Sequence, residues 1–133
     1  MSKTIHGKIA IKINNGYKTV CIFNANFDRV YPLLCTYYDT AEKIESLMKF
    51  GDIIHLGKKL CPSEQGWRGL HSAAWQEKDV CVFWDRDYYE EMGEKLLTRA
   101  KVVATSKENL LASIWPYDII YIFENGQWEA HRQ

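Results

Sequence analysis

"GKIAIKINNGYKTVCIF", residues 7–23, decides how the rest of the chain is read. Ile9, Ile11 and Ile13 alternate with Lys8, Ala10 and Lys12, the period-two pattern of a strand with one buried face. Asn15-Gly16 offers the positive φ that a tight hairpin turn needs. The return arm, 17–23, is rich in aromatic and β-branched residues, so the segment is expected to be a β-hairpin. The same signature recurs at the other end in "DIIYIFENGQWEAH" (118–131). There Asn125-Gly126 is the turn signal, and Ile120 and Ile122 should face away from Ile119, Tyr121 and Phe123.

Between the hairpins the pattern changes period. In "NANFDRVYPLLCTYY" (24–38), Asn24, Asn26 and Asp28 favour turns and Pro32 interrupts a strand, which leaves a short helix around 31–37. Asp39 or Thr40 then offers an N-cap, with Asp39 and Glu42 at the spacing of a capping box. Ile44, Leu47 and Met48 follow at helical spacing, and Gly51 suits the left-handed residue that ends a helix, so 40–50 is expected to be helical. Residues 51–79 read mostly as loop, with a short strand or turn at 52–56 and Gly57, Pro62, Gly66 and Gly69 beyond it. "VCVFW" (80–84) reads as a strand continuous enough to be central. Residues 88–103 can be helical through Tyr89, Met92, Leu96 and Leu97, and Ser106 can cap a further short helix containing Leu110 and Leu111. The expected fold is α+β: a mainly antiparallel sheet with N- and C-terminal hairpins and two or three helices packed on it, in one domain spanning 1–133.

The totals fit a globular chain. The 133 residues are 47% hydrophobic and 26% charged, enough for a core without disulfides or metal. Seventeen basic residues balance seventeen acidic ones, so no bulk field attracts phosphate backbones and non-specific nucleic-acid binding is disfavoured. "MSKTIHGKIAIKI" has no long apolar core of a signal peptide, and no run approaches a membrane span. The expectation is a soluble, cytoplasmic protein whose four cysteines are free thiols.

Few residue patterns point to catalysis. The four His and four Cys show no C-x-x-C, H-x-x-x-H or H-E-x-x-H spacing, so no metal is expected, although His55, Cys61 and His71 share one long loop. No G-x-S-x-G elbow or cysteine nucleophile context is present, and no motif calls for a cofactor. "GWRGL" (66–70) lacks the Lys-Ser/Thr of a P-loop, yet Trp67 and Arg68 could stack a base and hold a phosphate. The sharpest constellation is "WDRDYYEE" (84–91), where an apolar run breaks into Trp84, Asp85, Arg86 and Asp87. If extended, it places Asp85 and Asp87 on one face, the arrangement needed to bind a divalent cation or to divide acid and base roles. Alternatively Asp87 caps a following helix, or the run docks a partner. Asp85, Asp87, Glu90, Glu91 and Glu94 against Arg86 give residues 85–94 a net charge of −4, and the aromatic share of 14% supplies rings suited to contact surfaces.

Three stretches, "LLCTYYDTAEKIESLMKFGDIIHLGKKLCP" (33–62), "VCVFWDRDYYEE" (80–91) and "YDIIYIFENGQW" (117–128), together resemble a group of small uncharacterised proteins of phages, prophages and related mobile elements. The shared pattern is a helix ending in Gly-Asp, a strand closing on Arg-Asp, and a terminal hairpin with Asn-Gly-x-Trp. Such proteins often carry a His-Trp-Asp-Gly-Tyr-like stretch after the first hairpin, where this chain has "CIFNANF" (21–27). The resemblance implies a mobile-element origin. With the local charge, it points to a non-enzymatic binding protein that inhibits a host defence protein, as anti-CRISPR proteins do. Its partner-binding residues would be Trp84, Asp85, Arg86, Asp87, Glu90 and Glu91. The alternatives are a nucleotide-signal binder using Trp67 and Arg68, and a metal-dependent hydrolase using Asp85 and Asp87.

Overall fold

The computed structural model describes residues 5–60, 79–83, 106–112 and 117–132, together with the backbone of 101–103. In chain order these form β1 (His6–Ile13), β2 (Gly16–Phe23), α1 (Phe27–Tyr37), α2 (Ala41–Met48), β3 (Ile53–His55), β4 (Val82–Phe83), β5 (Lys101–Val103), α3 (Lys107–Ala112), β6 (Ile119–Glu124) and β7 (Gln127–Arg132). Both hairpins form. The first turns on Asn14 and Asn15, one residue earlier than expected, and Gly16 opens β2 at φ 150°. The second turns on Asn125 and Gly126 at φ 55° and 77°, the pair of positive values that matches the twist of the flanking strands.

The α+β class holds, but the sheet is mixed and not mainly antiparallel. Its strands run in the order β4-β3-β2-β1-β6-β7, and β5 pairs with β2 outside that order. The hairpins meet through β1 and β6, which are parallel over Gly7↔Ile119 to Ile11↔Phe123, and β2 runs parallel to β3 at Ile22↔Ile53. Hairpin signals are local, whereas these parallel joins are made by residues far apart in sequence. Two other expectations change. The strand at residue 82 lies at the end of the described order, beside β3 alone, and owes its burial to packing on both faces. Lys101–Val103, expected as the end of a helix, pairs antiparallel with β2 over residues 17–19.

Alternation along the strands sends side chains to two cores. Ile9, Ile11, Val20, Ile22, Tyr121 and Phe123 face α1 and α2, where they meet Val30, Leu34, Ile44 and Leu47. Each fully enclosed Ile or Leu in this layer contributes about 1.5–3 kcal/mol of transfer free energy. Ala10, Tyr17, Ile120 and Ile122 face the other way and meet Leu110 of α3. The opposed facing of Ile120 and Ile122 is therefore as the sequence pattern requires.

The helices start where their caps allow. Thr40 caps α2, its side chain accepting a hydrogen bond from the Lys43 N–H at 3.2 Å, while Asp39 pairs with the Lys43 ammonium at 2.9 Å. Gly51 follows α2 at φ 84°. Ser106 caps α3 through the Asn109 N–H at 3.2 Å. α1 is longer than the sequence suggests and contains Pro32. That exposed proline removes one helical N–H, and burial of Val30 and Leu34 on the opposite face holds the helix together. No helix among the described residues is long and apolar enough to cross a membrane.

Candidate functional site

Trp67, Arg68, Trp84, Asp85, Arg86, Asp87, Glu90 and Glu91 lie outside the described residues, as do Cys61 and His71. What the structure supplies is the corner from which their segments leave. Lys59 and Val80 form a parallel bridge, with the Lys59 N–H donating to the Asp79 carbonyl at 3.0 Å and the Cys81 N–H to the Lys59 carbonyl at 2.8 Å. Lys59 and Val80, which bracket residues 61–78 in sequence, thus lie side by side. β4 pairs with β3 at Ile53↔Phe83, and residue 84 follows directly. Both groups of sequence-nominated residues therefore leave from one piece of framework.

This corner is held by buried polar contacts that the sequence did not reveal. Gly57 lets two backbones touch, because a β-carbon there would lie 2.5 Å from the Asp79 carbonyl oxygen. The Tyr38 hydroxyl donates to the Gly57 carbonyl at 2.7 Å and lies 3.3 Å from the Cys81 Sγ, which also accepts from the Gly57 N–H at 3.2 Å. Burial, reinforced by Cys81, pushes the Tyr38 phenol far above its ordinary value, so it acts as a neutral donor. Cys81 is completely buried and makes polar contacts with both Tyr38 and Gly57.

Arg29 and His55 complete the corner. Arg29 reaches from α1 to the Leu56 carbonyl through Nη1 at 2.7 Å and to the Asn24 carbonyl through Nη2 at 3.0 Å. Burial lowers its pKa. His55, half-buried at the end of β3, has its pKa lowered by burial first and by the Arg29 charge second, with Asp79 pulling the other way. No sequence signal marked Arg29, which stands in an ordinary amphipathic helix. His55 was visible only as one member of a loose His/Cys set, and no group of three or more potential metal ligands occurs among the described residues.

A second polar cluster lies on the opposite face of the sheet. Lys107, at the start of α3, binds both carboxylate oxygens of Glu129 at 2.7 and 2.8 Å and lies 3.7 Å from Glu124. His131 Nε2 is 3.0 Å from Glu129, and the Tyr17 hydroxyl donates to Glu124 at 3.0 Å. Burial and then Glu124 push the Tyr17 phenol up to about 12. Every member of this cluster is occupied with another, and together they tie α3 to β2, β6 and β7. A cavity of about 260 Å³ opens near Phe27, Asp28, Asp118 and Arg132. One Asp118 oxygen already accepts from the His6 N–H at 3.1 Å, and Arg132 sits 5.1 Å from the Phe27 ring. Both side chains there serve the framework.

Comparison with protein-family models, with curated proteins and with solved structures finds no match.

Proposed function

We infer that this protein works by contact with another macromolecule and not by catalysis: a binding protein of phage or mobile-element origin that inhibits a host defence protein, in the manner of an anti-CRISPR protein. The contact is made by Trp84, Asp85, Arg86, Asp87, Glu90 and Glu91. The observation that carries this reading is the shared root of segments 61–78 and 84–100 on the corner where Lys59 meets Val80 and Ile53 meets Phe83. A fixed root lowers the entropy lost when an attached segment engages a partner. The net charge of −4 over residues 85–94 favours a basic partner surface, and Trp84 with the adjacent tyrosines offers large contact area at few rotatable bonds.

The test is a tagged capture from bacterial lysate with the wild-type chain and with the triple variant Asp85→Lys, Asp87→Lys, Glu90→Lys. Wild type should retain a stoichiometric protein partner that the folded variant loses. Equal recovery by both chains would overturn the surface assignment. A clean chain carrying a co-purified nucleotide would replace the reading with a small-ligand function.

A further inference from the structure

β7 is the last strand in the order of the sheet and pairs with β6 alone among the described residues. The pairing is regular from Ile119↔Arg132 to Glu124↔Gln127, so the turn sets which main-chain groups face which way. A two-residue hairpin loop closes on a hydrogen-bonded pair, here Glu124 and Gln127, and every second pair repeats it. Gln127, Glu129 and His131 therefore turn their N–H and C=O groups to β6, whereas Trp128, Ala130 and Arg132 turn theirs outward. The Tyr31 hydroxyl, which donates to the Trp128 carbonyl at 3.1 Å, marks the same side. Among the described residues the outward main-chain groups make no other hydrogen bond. Exposed edges are usually blunted by a proline, a bulge or repelling charges, yet "QWEAHR" has no proline and its ladder no bulge.

We propose that β7 is a dimerisation edge, on which a second copy of this chain adds its own β7 antiparallel about a twofold axis at Ala130. In that register Ala130 faces Ala130 of the copy and Trp128 faces Arg132, so the outward groups meet in hydrogen-bonded pairs. The Trp128 carbonyl keeps a second lone pair for the copy beside the bond from Tyr31. Between these pairs the Glu129 carboxylate stands opposite the copy's His131 imidazole, and His131 opposite its Glu129. A parallel copy in register would instead set Glu129 against Glu129, so the strand's own side chains select the antiparallel partner. The twofold is perpendicular to the sheet and places α1 of both copies on one face. Two open hollows flank β7 there, one of about 270 Å³ beside Tyr31, Cys35 and Trp128 and one of about 260 Å³ beside Phe27 and Arg132. The axis sets the first hollow of each copy against the second of the other, which leaves room for the side chains that line them. β7 lies at the opposite end of the strand order from β3 and β4, so the dimer does not rest on the protein-contact reading.

The experiment is analytical ultracentrifugation of the full chain from about 1 μM to about 1 mM, with amide hydrogen exchange read by NMR at both ends of the range. A reversible monomer–dimer equilibrium is expected, with the Trp128, Ala130 and Arg132 amides exchanging more slowly at the higher concentration. Ala130→Pro removes an N–H that β6 does not use, so the variant should keep the wild-type circular dichroism spectrum and dimerise about tenfold or more weakly. His131→Glu sets carboxylate against carboxylate across the axis and should also weaken the dimer, whereas His131→Lys should keep it. A chain that stays monomeric to about 1 mM, or a dimer indifferent to both Ala130→Pro and His131→Glu, would overturn the proposal. Protection of the Trp128 and Ala130 amides only in a complex with a different captured protein would assign the edge to a foreign strand and overturn it equally.

Discussion

At Gly57 a β-carbon would lie 2.5 Å from the Asp79 carbonyl oxygen, whereas at Gly126 nothing stands within 4 Å and the constraint is φ +77°. The two positions should therefore respond differently to the same change. Gly57→Ala must push apart the 57–59 and 79–81 backbones and is expected to cost about 1–3 kcal/mol. Gly126→Ala pays only the left-handed penalty of about 1–2 kcal/mol, and Gly126→Asn much less. Urea unfolding of the three variants checks both statements. Glu129 offers a test by pH. Hydrogen bonds from Lys107 and then His131 hold its carboxyl below the ordinary 4.5. The stability it contributes is complete above that unfolded value and disappears as pH falls through the lower folded one. Lys107 is raised above 10.5, chiefly by its hydrogen bond to Glu129, and loses its share only as pH climbs through the folded value. Unfolding midpoints of wild type and Glu129→Gln should differ by the equivalent of no more than about 1 kcal/mol at neutral pH, because the pair is partly exposed. The difference should close as the solution is taken toward about pH 2.

The elements show which signals a sequence can carry. Asn125-Gly126 and the alternation of 119–123 act within a few residues, and the second hairpin forms with the facing they imply. The cap of α2 was legible to within one residue: Thr40 takes the role, and Asp39 is left to pair with Lys43. Thr40→Ala should lower stability by about 1 kcal/mol, measured by thermal or urea unfolding, and Thr40→Asp should restore most of it. Where pairing is long-range the local pattern fails. Val102 and Val103 suit a strand as well as a helix end, and the open flank of β2 decides between them. The β1/β6 and β2/β3 joins likewise depend on which edges find each other, information that no window of ten residues contains. Arg29, Tyr38 and Cys81 were illegible as a site for the same reason. They come from α1, from the residue after it and from the edge of β4, and only the closed chain brings them to Gly57 and Leu56.

At the scale of the whole molecule, a mixed sheet covered by α1 and α2 on one face and by α3 on the other leaves one end, at β3 and β4, as the origin of two long segments. The acidic and aromatic residues nominated from sequence all lie in those segments, and the polar contacts around Gly57 fix where the segments begin. Under the proposed function, the contact residues follow directly in sequence from the frame that the two cores hold. The most direct measurement is hydrogen–deuterium exchange of the chain alone and bound to the partner it captures. The account expects new protection concentrated in residues 84–91, with β1, β2, β6 and β7 unchanged. Protection confined to the sheet or to α3, with residues 84–91 exchanging as fast in the complex as in the free chain, would contradict it.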